Sequence, residues 1–335
     1  MSYQGVTVLI TGADGFIGSH LTEALLRSGA KVTAVSQYNS FDSHGWLDDI
    51  SDELRGKLRI VRGDVRDAAF VRRVVREQEI VFHLAALIAI PQSYVTAQAY
   101  VETNVLGTLN VLEAARDCGT KRIIHTSTSE VYGTVVGEAI TEDHPLQGQS
   151  PYSASKIGAD MMAEAFARSF DLPVAILRPF NTFGPRQSER AIIPTVIRQA
   201  LDPNCAAIMV GDTTPVRDLT FVEDTAAAFM ALGMAPNIKF GKPYNAGNGR
   251  AVSVADLIGL IVEATECSKS VVQETQRFRP PNSEVRALLA DSTRMNAETG
   301  WKPRVDLVDG IARTIDWWRG RLDGGLVRKE KSFVL

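Results

Sequence analysis

The feature that most constrains this chain is its N-terminal stretch. Val6-Thr7-Val8-Leu9-Ile10 is an apolar, β-branched run, and Thr11-Gly12-Ala13-Asp14-Gly15-Phe16-Ile17-Gly18 follows without a break. From Ser19 to Ser28 the pattern becomes that of an amphipathic helix, ending at Gly29. A run that is apolar throughout, rather than alternating, suits a strand covered on both faces, as in a parallel sheet. Glycines spaced GxxGxxG let the turn take positive φ, let the backbone approach a pyrophosphate, and let helix pack close to strand. Free N–H groups at the helix start then face the phosphates. Gly12, Gly15 and Gly18, with Phe16 and Ile17 between them, are therefore expected at a dinucleotide. A glycine triplet alone is a common turn; its position between strand and helix makes it a binding loop.

The alternation continues. Lys31-Val32-Thr33-Ala34-Val35, Leu58-Arg59-Ile60-Val61, Val81-Phe82-His83-Leu84-Ala85-Ala86, Arg122-Ile123-Ile124-His125 and Leu172-Pro173-Val174-Ala175-Ile176-Leu177 read as further buried strands. Helical patterns lie between them, including one over 104–116 with Val105, Leu109, Leu112 and Ala115 on one face. This predicts an α/β fold, a doubly wound parallel sheet of the Rossmann kind with helices on both faces. At the end of the second strand such folds usually carry an acid for the 2′-hydroxyl of the adenosine ribose. Here Ser36, Gln37 and Tyr38 offer neither that acid nor an Arg for a 2′-phosphate. NAD is favoured, because an unpaired phosphate would be costly to bind, and NADP stays open. Asp64 is placed for the adenine, with Val65 beside it; a turn-capping role for Asp64 is the alternative. Leu84, Ala85 and Ala86 allow a cofactor to lie against the fourth strand. His83 reads as a structural group with a fixed partner, and Trp46 as a packing residue.

A chain of 335 residues can bury a large core. The expected organisation is a dinucleotide-binding domain over 1–180 and a smaller, mainly substrate-binding domain over 181–323. Residues 218–247 are expected to return to the first sheet, and 324–335 to form a tail. A net charge of −3 gives no general attraction to nucleic acid or to an anionic membrane. Cys118, Cys205 and Cys267 are scattered, without CxxC or a histidine cluster, so neither a disulfide framework nor a metal site is expected. No signal segment opens the chain, and no apolar stretch approaches the roughly 20 residues a membrane span needs. A cytoplasmic protein is the expectation.

Two later segments carry the chemistry. Thr126-Ser127-Thr128-Ser129-Glu130-Val131-Tyr132-Gly133 begins where the fifth strand ends, and Tyr152-Ser153-Ala154-Ser155-Lys156 opens an Ala-rich helix running to about Phe170. Oxidising a sugar hydroxyl means removing its proton while hydride leaves the carbon. A tyrosine with a pKa near 10 is a poor base at neutral pH. An ammonium one helical turn away and the positive charge of a nicotinamide both favour the phenolate. That is the physical reason for Tyr152 with Lys156, and Thr128 would orient the substrate hydroxyl. Once the oxidised carbon is a ketone, a proton on the neighbouring carbon is acidic, and a carboxylate such as Glu130 can remove it.

GxxGxxG at Gly12 to Gly18, TSEVYG at Thr128 to Gly133, YxxxK at Tyr152 and Lys156, and RPFNTFGPR at Arg178 to Arg186 together resemble the extended short-chain dehydrogenase/reductases. More narrowly, the chain is similar to their nucleotide-sugar epimerase/dehydratase branch. Val216-Arg217-Asp218-Leu219-Thr220-Phe221-Val222-Glu223-Asp224 and Tyr244-Asn245-Ala246-Gly247-Asn248-Gly249 extend the likeness over residues 5–315. Tyr38-Asn39-Ser40-Phe41 and Gln149-Ser150-Pro151-Tyr152 also resemble the dehydratases that begin legionaminic-acid-type pathways. The resemblance implies a 4,6-dehydratase acting on a nucleotide-diphosphate sugar: oxidation at C4, loss of the C6 hydroxyl as water, and return of hydride to C6. The dTDP-glucose dehydratases carry Asp then Glu after the catalytic Thr. This chain has Ser129 then Glu130, the arrangement of GDP-mannose 4,6-dehydratases, so that Ser129 could relay the proton to the leaving hydroxyl. UDP-glucuronate decarboxylases share Thr-Ser-Glu, and 4-epimerases usually lack the Glu; both remain alternatives, as does a non-catalytic dinucleotide sensor. The resemblance further implies substrate contacts from Asn181, Arg217 and Arg279, and a homodimer in which helices 104–116 and 152–170 form a four-helix bundle.

Overall fold

In the computed structural model, residues 2–135, 139–278, 280 and 282–327 are described. Seven parallel strands form the main sheet: β1 (Thr7–Thr11), β2 (Lys31–Ser36), β3 (Leu58–Arg62), β4 (Ile80–His83), β5 (Arg122–Thr126), β6 (Val174–Pro179) and β10 (Pro243–Ala246). Their order is β3-β2-β1-β4-β5-β6-β10. The sheet is thus wound outward in both directions from β1, and a crevice opens where the direction reverses, at the carboxyl ends of β1 and β4. In register, Thr11 lies across from Val35 on one side and from His83 on the other.

The β1 sequence explains its double burial. Val8 and Ile10 enter one core with Leu21, Leu25 and Leu26 of the helix Phe16–Arg27 and Phe229 and Leu232 of the helix Val222–Met234. Leu9, of opposite parity, enters a second core with Val111 and Leu112 of the helix Gly107–Cys118 and Ala163 and Phe166 of the helix Pro151–Phe170. One strand serves two cores because successive side chains point to opposite faces.

Two smaller sheets follow in the C-terminal part. β7 (Asn181–Phe183), β9 (Val216–Phe221) and β11 (Ala251–Ser253) make one; β8 (Ile208–Val210) and β12 (Val271–Gln273) make the other. A third core fills between them and the helices Ile192–Leu201, Val254–Ala264 and Leu307–Asp323, with Phe183, Ile197, Phe221, Ile258, Ile315 and Trp318. Trp46 packs edge-on to Trp317, 5.6 Å between ring centroids, as a packing residue should.

Two expected boundaries move. β4 ends at His83, so Leu84, Ala85 and Ala86 lie beyond it in the crevice loop. The helix expected over 104–116 begins earlier, with a π-helical turn Val101–Leu106 leading into Gly107–Cys118. The π turn carries the fully buried Asn104, and a Cβ on Gly107 would come within 2.8 Å of the Val65 side chain, so only glycine lets this helix sit so close. Of the expected tail, Leu326 is still tied to Arg321, its N–H donating to the Arg321 carbonyl at 2.9 Å; residues 328–335 lie outside the described residues.

Candidate active site

The crevice end nearest β1 is made of backbone. Gly12 has φ +67°, and a Cβ there would lie 2.7 Å from the Ala85 nitrogen. A Cβ on Gly18 would lie 2.1 Å from the Gly12 carbonyl oxygen, so helix and loop touch directly. Gly15 is different: it is exposed, and its nearest neighbour would be 3.4 Å away. It is also the N-cap of the helix Phe16–Arg27, with no side-chain cap and no acid in the first turn. An uncapped, acid-free helix start over an open glycine suits a diphosphate. Thr11 closes the cradle, its Oγ1 accepting from the Ala85 N–H at 3.1 Å.

Around this cradle stand the other residues expected at a dinucleotide. Ser36 is fully buried at the end of β2. Its hydroxyl donates to Asp14 Oδ2 at 3.2 Å, and the Gln37 N–H donates to the same oxygen at 3.1 Å. Burial raises the Asp14 carboxyl above the ordinary range, opposed by these hydrogen bonds. Sequence reasoning found no acid at the end of β2, and the structure brings one there from the glycine loop. Asp64 turns back on its own loop, accepting from the Arg66 N–H at 2.9 Å and from the Arg66 guanidinium at 2.6 Å. Val65 is buried, its carbonyl accepting from Asn110 Nδ2 at 2.9 Å.

The reacting end is built from buried side chains. The helix Pro151–Phe170 starts at a capping box: Ser150 Oγ accepts from the Ser153 N–H at 3.1 Å, and Ser153 Oγ accepts from the Ser150 N–H at 3.0 Å. Tyr152 and Lys156 follow within its first two turns, both buried. Facing them, Thr128 caps the short turn Ser129–Tyr132, its Oγ1 accepting from the Glu130 N–H at 3.2 Å. The structure therefore brings Thr128, Ser129, Glu130, Tyr152 and Lys156 into one place. Burial pushes the Tyr152 phenol well up; hydrogen bonding with Thr128 opposes this and the Glu130 charge adds to it. Burial lowers Lys156 to about 8, with the Asp160 carboxylate opposing.

Behind the pair lies a polar network that sequence reasoning did not identify. Asp160, fully buried, accepts from Ser127 Oγ at 2.8 Å and from Arg178 at 2.9 and 3.1 Å, with His125 Nε2 at 3.3 Å. Burial alone would raise its carboxyl, but His125, Arg178 and Ser127 outweigh that and hold it below the ordinary range. Asn104 fastens the crevice loop to the helix Pro151–Phe170: Nδ2 donates to Ser155 Oγ and to the Leu87 carbonyl, and Oδ1 accepts from the Leu87 N–H. His83 has the fixed partners expected of it, Thr11 Oγ1 at 2.8 Å and Thr108 Oγ1 at 3.0 Å. A lone Asn or Asp in a helical pattern was the only signal for Asn104 and Asp160.

On the far side, β7 and β9 pair in parallel, which sets Asn181 and Arg217 on neighbouring strands. Asn181 Oδ1 is buried without a hydrogen-bond partner among the described residues. Arg217 Nη2 donates to Glu284 Oε1 at 2.7 Å. Arg279 lies outside the described residues. Among the described residues no group of three His, Cys, Asp or Glu could hold a metal ion, and no helix is long and apolar enough to cross a membrane.

Known proteins share both sequence and architecture with this chain. A dTDP-glucose 4,6-dehydratase of Streptomyces griseus is 36% identical over 314 residues, 93% of each chain. A UDP-glucose 4-epimerase of Mycolicibacterium smegmatis is 32% identical, covering 93% of this chain and 98% of its own. The dTDP-glucose 4,6-dehydratase of Streptomyces venezuelae, solved with NAD bound, superposes with a TM-score of 0.85 at 30% identity, over 95% of this chain and 98% of that one. Residues 9–314 match the GDP-mannose 4,6-dehydratase family, and the chain belongs to it, within the NAD-dependent epimerase/dehydratase branch of the extended short-chain dehydrogenase/reductases.

Proposed function

We propose that this protein is a nucleotide-sugar 4,6-dehydratase, a hydro-lyase that turns an NDP-hexose or NDP-N-acetylhexosamine into its 4-keto-6-deoxy form. The observation that carries the reading is Glu130: it shares a turn with Thr128 and its charge reaches the buried Tyr152. An oxidoreductase needs only the Thr-Tyr-Lys set; a carboxylate beside it adds a base for C5. The glycine cradle fits NAD, and the hydride chemistry, removal from C4 and return to C6, is supplied by NAD when bound. Tyr152 takes the proton from the 4-hydroxyl, with Lys156 holding positive charge beside it and Thr128 orienting the hydroxyl. Glu130 then takes the C5 proton, Ser129 relays a proton through water to the departing C6 hydroxyl, and water leaves; C5 takes a proton back from Glu130 as C6 is reduced. Asn181, Arg217 and Arg279 hold the nucleotide diphosphate, Arg217 exchanging Glu284 for phosphate; an Arg fork suits that anion.

The same reading gives residues 1–180, with 218–247, to the cofactor, and residues 181–323 mainly to the sugar nucleotide. A homodimer through the helices Gly107–Cys118 and Pro151–Phe170 completes it, supported by Val101, Leu106 and Met161, which are apolar and exposed beside that pair. The cytoplasm is the compartment, in keeping with three free cysteines.

The test is incubation with UDP-, GDP- and dTDP-sugars, following the 4-keto product's alkaline absorbance and its mass. Loss of one water supports dehydration. Loss of carbon dioxide would make the protein a decarboxylase, an unchanged mass with inverted C4 an epimerase, and no turnover a sensor. Glu130→Gln should lower water loss by about 10²- to 10⁴-fold while a 4-keto sugar retaining its C6 hydroxyl still forms. Normal dehydration by that variant would remove Glu130 as the base.

A further inference from the structure

Doubly wound folds read the adenosine ribose at the carboxyl end of the second strand, and an acid there separates a 2′-hydroxyl from a 2′-phosphate. In this chain β2 ends at Ser36, with Gln37 next, and neither is an acid. The carboxylate that occupies the spot belongs to Asp14, inside the glycine loop. It is locked there from several sides. Ala13 N–H donates to the Val35 carbonyl at 3.3 Å, and Trp46 N–H to the Asp14 carbonyl at 3.0 Å. Gly45 packs so closely that a Cβ on it would lie 2.6 Å from that carbonyl oxygen. Both side-chain hydrogen bonds, from Ser36 Oγ and Gln37 N–H, fall on Oδ2. An ionised carboxylate has about four acceptor positions, so capacity remains for a ribose hydroxyl.

A cation placed to favour a phosphate already has a carboxylate partner. Arg62 lies opposite Ser36 in the β2–β3 register. Its guanidinium pairs with Asp42 Oδ1 at 2.5 Å, donates to the Asp42 carbonyl at 3.0 Å, and meets His44 Nε2 at 3.2 Å. A 2′-phosphate would therefore face the fixed Asp14 carboxylate, and Arg62 could meet it only by giving up Asp42.

We infer that Asp14 is the residue by which this protein selects NAD over NADP, accepting a hydrogen bond from the 2′-hydroxyl and repelling a 2′-phosphate. The inference rests on the reading that the crevice holds a dinucleotide, and it moves the discriminating acid from the end of β2 to the glycine loop.

The experiment is calorimetric titration of NAD, NADP and 2′-deoxy-NAD into cofactor-stripped protein, as wild type, Asp14→Ala and Asp14→Asn, with thermal melts to confirm folding. Wild type should prefer NAD to NADP by about 100-fold, and Asp14→Ala should weaken NAD about 10-fold, a charge-assisted hydrogen bond's worth, without weakening NADP. Asp14→Asn keeps an acceptor for Ser36 and Gln37 without the charge, so its NADP affinity should rise while its melting point stays near wild type. 2′-Deoxy-NAD should bind wild type and Asp14→Ala alike. An NAD:NADP ratio unchanged in both folded variants overturns the role of Asp14 alone. A wild type that binds neither dinucleotide overturns the cofactor reading, and this inference with it.

Discussion

The two ends of the crevice are made of different material. Where the diphosphate is held, the determining groups are glycines, a helix start and backbone N–H groups, and what matters is which atoms are absent. At the reacting end they are buried, titratable side chains from the β5 turn and the catalytic helix, and what matters is the charge each carries. The glycine loop needs local geometry and is specified within a dozen consecutive residues. The second needs several segments to be packed correctly before its chemistry exists. A change at the first should therefore be felt in affinity and folding, and a change at the second in turnover.

The strongest attempt to break that division is at the catalytic pair. Tyr152→Phe and Lys156→Met should each cut turnover by about 10³-fold or more, measured as 4-keto product, with little change in NAD affinity. Lys156 also makes a prediction in the opposite direction for stability. Its folded value of about 8 lies below the ordinary 10.5, so below about pH 8 the folded state carries an ammonium that its buried position disfavours. Stability should rise with pH between those two values as the folded form loses the proton first. Turnover should fall over the start of that range, because the phenolate loses its ammonium. Lys156→Met should melt higher than wild type at pH 7 and lose this pH dependence. A lower melting point would mean that the ammonium is held by partners strong enough to make it stabilising, and that the reacting end is not strained.

Glycine substitutions test the other side with smaller effects. Gly18→Ala forces a Cβ to 2.1 Å from the Gly12 carbonyl, an overpacking that should cost about 1–3 kcal/mol and weaken NAD together with the fold. Gly15 has φ −82° and open space, so Gly15→Ala should leave the melting point unchanged. It should still reduce NAD affinity about tenfold by standing where the diphosphate approaches. Equal effects of the two substitutions on folding would erase the distinction between packing and ligand-facing glycines.

The same contrast explains what could be read from the sequence. The glycine loop, six of the seven sheet strands and the YxxxK helix are local patterns, and each lies within a residue or two of where its spacing puts it, except that β4 stops three residues early, at His83. The seventh strand, β10, hydrogen-bonds to β6 across more than sixty residues of intervening chain, so only its broader segment could be anticipated. Asp14 was visible in the loop, but its direction was not: a side chain reaching from β1 to the end of β2 depends on how loop, strand and residues 45–46 meet. Asp160 and Arg178 illustrate the same limit. Each alone reads as an ordinary helix or strand-end residue, and only the packing of β5, β6 and the catalytic helix makes them a buried pair. Removing one partner of such a pair leaves an uncompensated charge, a much larger loss than either residue's pattern suggests.

Ser150 lies between the two kinds of construction and gives the smallest and most discriminating expectation. It is a local capping group, yet Tyr152 stands two residues inside the helix it starts. Ser150→Ala removes the acceptor for the Ser153 N–H and should cost about 1 kcal/mol. In a chain of this size that is a melting shift of about 2 °C. Pro151 still fixes the backbone at the first helical position, and Ser155 and Asp160 are held by contacts further along. The Tyr152 hydroxyl should consequently stay in place, and kcat should fall no more than about twofold, with KM unchanged. If kcat fell instead toward the level of Tyr152→Phe, the cap would be positioning the base. The reacting end would then depend on local geometry as closely as the glycine cradle does.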